Sequence, residues 1–333
     1  MSMSRTLIQF TVLASCLAAS TAIDTWASQE KVPKKYVETI TTEQGEKLSF
    51  EMVLIPGGSF LMGSPTSQAS RQDHEGPQHE VRLDSFYLCP TETTLELFLA
   101  YYQETVSAKK DFFEVQQAKK DTEQVSKDDV DAITGPTPVY GDLTMGYGQK
   151  HPAMGMTWHN AMTFCRWLSK KTGKHYRLPT ESEWEYASRA GTTHIFGFTD
   201  EPNRLADSAW YQDNSDGETH AVAKKKPNAW GLHDMLGNVS EWVYDFYSPT
   251  AYQEAAKKNP AVNPQGPKTG KVHVARGGAY HSSVEELRCA ARTFEEDWWR
   301  SGDPQIPKSQ WWLPEMDHIG FRVARSVHTG SQK

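Results

Sequence analysis

The chain predicts an α+β fold rich in loops. Three observations carry this. Eleven tryptophans and 23 glycines in 333 residues suit a core pinned by aromatic anchors and tight turns, in place of long helices. A few amphipathic helical stretches stand apart from short strand-like ones. After Gly191, turn-forming Gly, Asn, Asp and Pro recur every few residues. The length suits one large domain or two modest ones, with room for a sizeable core. The formal charge of −7 leaves no basic footprint for nucleic acid.

The elements follow in order. Residues 1–27 read as a signal peptide. Arg5 gives a positive start, and Leu7 to Ala19 is apolar but too short, with Gln9 inside it, for a membrane span. Ser20, Ala22 and Ala27 offer cleavage sites. Leu13-Ala14-Ser15-Cys16 also fits a bacterial lipoprotein pattern, with a lipid anchor at Cys16. No later apolar run could cross a bilayer, so the expectation is export to a periplasmic or extracellular location. Residues 28–46 are polar and charged and read as a linker. The folded domain is then 47–328.

"SFEMVLIPGGSFLMGS" predicts two strands around a Pro-Gly-Gly turn. His74 and His79 follow at the wrong spacing for a zinc helix, and Gly76-Pro77 prevents that helix, so loop and strand are expected. "TETTLELFLAYYQETV" predicts a helix with a Thr93–Glu96 capping box. Residues 107–131 read as a charged surface excursion. "TWHNAMTFCRWLSKKTGK" is the clearest helix, capped by Thr157, ended by Gly173, with Ala161, Phe164, Cys165 and Leu168 inward. "RLPTESEWEYASRAG" predicts another, with a Thr180–Glu183 capping box. Residues 272–275 predict a strand, and "HIGFRVARSV" a closing one. Cys89, Cys165 and Cys289 show no paired spacing. An odd number in an oxidising compartment leaves at least one free thiol.

Four stretches in order now carry a resemblance: "MVLIPGGSFLMGS", "RLPTESEWEYASRAG", "NAWGLHDMLGNVSEW", and "ARGGAY" with a terminal "GFRVAR". Together they resemble the formylglycine-generating enzyme family, the sulfatase-modifying factors, over about Phe50 to Arg325. The resemblance implies a single compact domain with low regular secondary structure, related to the C-type lectin fold. It implies an oxidation of a sulfatase cysteine to formylglycine by copper(I) on two cysteine thiolates. Those positions fall near Ser282 and Val284 here, so copper is not expected: a hydroxyl and an isopropyl group cannot replace two soft thiolates. No catalytic residue is carried over. The resemblance also places Cys289 opposite Ser188, and Cys165 opposite Val323, so each family disulfide lacks a member. His281 and Glu285 are polar candidates for recruited metal ligands.

The resemblance further implies calcium at "GLHDMLGNVSEW", from Asp234 and Glu241 with carbonyls of Gly237 and Val239. Mixed carboxylate and carbonyl ligation on a tight loop suits calcium. A second set would be Asp207, the carbonyl of Ser208, and Asp216. A ligand groove for an extended peptide, a protein or a glycan is expected from Arg276, His281 and Ser282 with Trp298, Trp299, Trp311 and Trp312, since aromatics among polar groups suit such ligands. Gly277 and Gly278 would permit close approach of a ligand backbone. The expected function is an exported binding or accessory protein. The alternative is an oxidoreductase of the formylglycine-generating type, or one using other metal ligands.

Overall fold

The computed structural model describes residues 32–105, 144, 146–303, 308–309, 311–313 and 315–327. The expected signal peptide, Cys16 and the 107–131 excursion lie outside them. The best-formed helices start where their caps predict. In α2 (Trp158–Thr172), the Thr157 side chain accepts from the Asn160 N–H, and Gly173 ends the helix in a left-handed turn at φ 68°. Asn160, Ala161, Phe164, Cys165 and Leu168 are its buried face. In α3 (Glu181–Arg189), Thr180 and Glu183 form the reciprocal capping box. All nine residues of α3 are buried, charged ones included.

The third expected helix differs. Its described residues are 95–105, here α1. The Thr93–Glu96 box does not form. The Thr93 N–H donates to the Phe321 carbonyl and its own carbonyl accepts from the Ala153 N–H, so the backbone there is held extended. Its hydroxyl is buried without a partner, and Glu96 pairs with Lys150.

Among the described residues the strands form three small sheets, and these residues make a single compact mixed α/β domain with few helices. The first runs β1 (Lys35–Thr41), β2 (Lys47–Ile55), β5 (Phe86–Leu88), β12 (Ala324–Ser326), β6 (Tyr176–Arg177). β1 corrects the expected 28–46 linker. Alternating Glu38 and Ile40 face inward, and all seven residues pair with β2. Polar composition hid a strand whose outer face is wet. The second sheet is β3 (Gly58–Met62), β4 (His79–Leu83), β8 (Ala261–Val262). The third is β10 (Thr293–Phe294), β9 (His273–Arg276), β7 (Ser240–Phe246), β11 (Ile319–Phe321). A short helix α4 (Ala251–Ala256) interrupts the turn-rich region after Gly191.

The expected closing strand is two strands. β11 joins the third sheet and β12 the first. Arg322 lies between them with none of its surface exposed. Its guanidinium turns inward to Glu241, at the point where the chain passes from one sheet to the other.

Candidate functional site

The Arg-Gly-Gly turn at the end of β9 is a packing device. Arg276 donates to Glu181 at 3.0 Å, to Glu185 at 2.7 Å and to the Cys289 carbonyl at 2.6 Å. Its side chain is fully buried, so it cannot line a ligand groove. Gly277 has φ +97°, and a Cβ there would sit 3.1 Å from both the Met235 carbonyl and the Trp184 ring. Gly278 has φ +67°, and a Cβ would meet Leu287 at 2.8 Å. The space over the two glycines is filled by the protein's own atoms, the Met235 carbonyl and the Trp184 and Leu287 side chains, not by a ligand backbone.

Ser282 is buried, and its Oγ accepts from the Ala279 N–H at 3.0 Å. Val284 opens a short 3-10 turn and packs partly buried against the core. Glu285 is exposed on that turn. The three described cysteines are free and buried. Burial pushes the Cys289 and Cys89 thiols up, and Cys165 up to about 12. A buried, protonated thiol is neither a nucleophile nor a copper ligand. The Ser188 hydroxyl lies 3.2 Å from Cys289 Sγ, in place of a disulfide partner. The residues present therefore do not fit copper(I).

His281 is exposed, and the fold gives it a partner that spacing concealed. Its ring meets His318 edge to face, with centroids 4.3 Å apart. His318 Nδ1 lies 3.4 Å from Asp317, which His318 and Tyr280 hold below the usual carboxylate range. Desolvation and the neighbouring His318 lower the His281 pKa. Tyr280 lies 5.1 Å from His281, and its N–H donates to the Asn238 carbonyl. The Asn238 side chain accepts from the His220 N–H, and the His220 ring stacks on Trp210 at 3.7 Å. Tyr280, His281, Asp317 and His318 thus form a polar, aromatic face beside Ser282. Sequence reasoning found only His281, because 37 residues separate it from His318 and no periodic pattern joins them.

The four tryptophans do not form one groove. Trp299 is 2% exposed and packs against Trp242, and Trp312 packs against Phe98. Trp311 is half-buried with its ring against His159. Trp298 alone is strongly exposed, at 52%.

The calcium expectation fits in part. Asp234 sits in a left-handed turn at φ 52° and is buried. Its Oδ2 accepts from the Ala223 N–H at 2.8 Å, while its Oδ1 has no partner. That orphaned oxygen suits a cation. Glu241 differs: Arg322 grips both its oxygens, at 2.7 and 2.5 Å, and Trp184 donates to one at 2.9 Å. Of the second set, Asp207 is exposed and pairs with Lys226 at 3.1 Å, Ser208 follows it at the end of a 3-10 turn, and Asp216 is exposed on a turn at φ 57°. Among the described residues no three His, Cys, Asp or Glu side chains converge as a ligand set. Any cation here would complete its shell with carbonyl and water oxygens.

The family model described as the sulfatase-modifying factor enzyme 1-like domain matches residues 38–327. The chain belongs to this family. A serine/threonine-protein kinase pkn1 of Chlamydia caviae is 34% identical over 282 residues, covering 84% of this chain and 41% of that relative. The formylglycine-generating enzyme of Streptomyces coelicolor is 33% identical over 276 residues, covering 72% of this chain and 83% of that enzyme. The solved structure of PvdO from Pseudomonas aeruginosa matches with TM-score 0.60 and 27% identity, over 89% of this chain and all of that one. The chain spans about two fifths of the kinase-named relatives it matches.

Proposed function

We propose that this member of the family is an exported binding or accessory protein without cysteine-pair copper chemistry. The single observation behind this reading is the state of the two positions that would hold copper. Ser282 turns its hydroxyl inward to close a turn, and Val284 offers no donor. The described thiols are too deeply buried to substitute for them. The ligand is an extended peptide, a partner protein or a glycan. Its contact surface is the face of Tyr280, His281 and His318, with aromatic and polar edges side by side. Export is proposed from the amino-terminal sequence, which also allows a lipid anchor at Cys16.

The test is incubation of the mature protein with a cysteine-containing sulfatase peptide, with and without copper. The expected outcome is no catalytic loss of about 18 Da, the thiol-to-aldehyde change. Copper-dependent turnover would restore the oxidase reading. Binding is read separately, by anisotropy of labelled peptides and by a glycan array. His281→Ala together with His318→Ala should abolish any binding seen while leaving the melting temperature close to that of the parent.

A further inference from the structure

The end of the first sheet opens into a cavity of about 600 Å³, within the range that holds a small-molecule ligand. Strand register builds its floor. Ser326 of β12 pairs with Phe86 of β5, and Arg325 pairs with Tyr176 of β6, so the next position on the β6 side is His175. Phe86 and His175 thus flank Ser326, about 10 Å apart across two strand spacings. Around this floor α2 contributes Met162 and Arg166, the loop after β8 contributes Asn263 and Gln265, and β7 contributes Tyr244.

The walls are fixed. Arg177 donates to both oxygens of Glu183, at 2.6 and 2.7 Å, and to the Ser326 hydroxyl. Asp84 and Asn263 bond reciprocally: the Asp84 N–H donates at 2.8 Å, and Asn263 Nδ2 donates back at 2.9 Å. Ser169 accepts from the Tyr176 N–H at 2.8 Å and donates to the Tyr176 carbonyl, which brings His175 beside the turn of α2 that carries Arg166. A site braced in this way has little ordering left to lose on binding.

The rim is not committed. Arg166 is exposed and donates only to the Thr163 hydroxyl, at 2.7 Å, and the side chains of His175, Gln265 and Tyr244 hydrogen-bond to no described residue. Both carboxylates on the lining are engaged, Glu183 by Arg177 and Asp84 by Asn263. Among the described residues Arg166 therefore has no anion. Leu83, Phe86, Met162 and Val327 leave much of the lining apolar. A neutral sugar would set hydroxyls against that surface without partners, whereas an apolar body with a negative head meets both features. The Tyr280, His281 and His318 face lies elsewhere. It meets β7 at Ser240, whose N–H donates to the His318 carbonyl, and Tyr244 stands four residues further on, about 13 Å at the usual rise.

We propose that this cavity is a second ligand site, one that takes a small amphipathic carboxylate. The head sits on Arg166 and His175, the apolar body lies against Phe86 and Met162, and the Tyr244 ring lines one side.

The experiment titrates the intact protein with 3-phenylpropionate and with octanoate, and reads binding by calorimetry. Ligands of this size should bind with a Kd of about 1 mM or tighter. 3-Phenylpropionamide, the same body without the charge, should bind at least about tenfold more weakly, and Arg166→Gln should weaken both acids by a similar factor. Arg166 is exposed, so the variant should melt with the parent, and the amide comparison needs no variant at all. The proposal is overturned if neither acid binds saturably, if the amide binds as tightly as the acid, or if Arg166→Gln changes nothing. Glucuronate binding more tightly than both acids would put a sugar in place of the apolar body and equally refute it. A crystal structure of the phenylpropionate complex locates the site: a carboxylate within hydrogen-bond reach of Arg166 supports the assignment, and a ligand seated on His281 and His318 refutes it.

Discussion

Around Arg276, two buried carboxylates, Glu181 and Glu185, meet three guanidiniums, those of Arg189, Arg276 and Arg292. Around Arg322, three buried carboxylates, Glu92, Asp234 and Glu241, meet one. Both regions are buried and both hold the ends of strands together. In the first Glu181 and Glu185 each have charged partners, and the Arg276 and Glu185 networks also reach the β3 end through the Gly63 N–H. In the second one carboxylate is paired and two are not. Buried charge is tolerated when it is matched locally, and where it is not, burial and the neighbouring Asp234 push the Glu92 carboxyl well above its ordinary range.

Five changes would break or sharpen that contrast. Arg276→Met should have the largest effect, about 3–5 kcal/mol of unfolding free energy, because it leaves Glu181 and Glu185 short of a buried partner. Denaturant unfolding measures it, and the loss should be the same with calcium or chelator present. A loss below about 1 kcal/mol would mean that Arg189 and Arg292 alone balance the first region. Glu241→Gln should cost less, about 1.5–3 kcal/mol, since the amide keeps one acceptor for Arg322. A much larger loss would place Glu241 at the centre of the second region's charge balance.

Asp245 tests the edge of the first region by pH. Burial, with the charges of Glu181 and Glu183, raises its pKa to about 8, and its Oδ2 accepts from the Glu181 N–H at 2.7 Å. Its folded pKa lies above the unfolded value of about 3.9, so between the two the native state holds the extra proton. Its contribution to stability is present at low pH and is lost as pH rises from about 4 towards about 8, with a slope of at most about 1.4 kcal/mol per unit. Asp245→Asn should flatten that slope in a pH series of denaturant melts. An unchanged slope would assign the titration to another group. Trp298→Ala should be the smallest change, within about 0.5 kcal/mol, because the ring is largely in water. Trp299→Ala, one residue away and buried on Trp242, is the apolar counterpart and should cost about 3–5 kcal/mol.

Local features were legible in the chain. Thr157 and Gly173 bound α2, and Thr180 with Glu183 starts α3, because a cap depends on residues three or four apart. The α+β class and the family followed from short stretches in order. The Thr93–Glu96 box failed for a tertiary reason: bonds to Phe321 and Ala153 hold that backbone extended. β1 went unseen because its exposed half dominates its composition.

The sequence by itself determined the missing thiolate pair, since no fold can make a thiolate of Ser282 or Val284, and it determined which loops bear carboxylates. Only the tertiary structure decided what those side chains face. It turned Arg276 into the core, set His281 against His318, gave Glu241 to Arg322, and left both carboxylate oxygens of Glu92 and one of Asp234 buried without a partner. The physical reason is range. Caps and turns are fixed by neighbours in the chain, whereas burial and charge pairing depend on residues brought together from distant segments, and a linear pattern carries no record of which of them will meet.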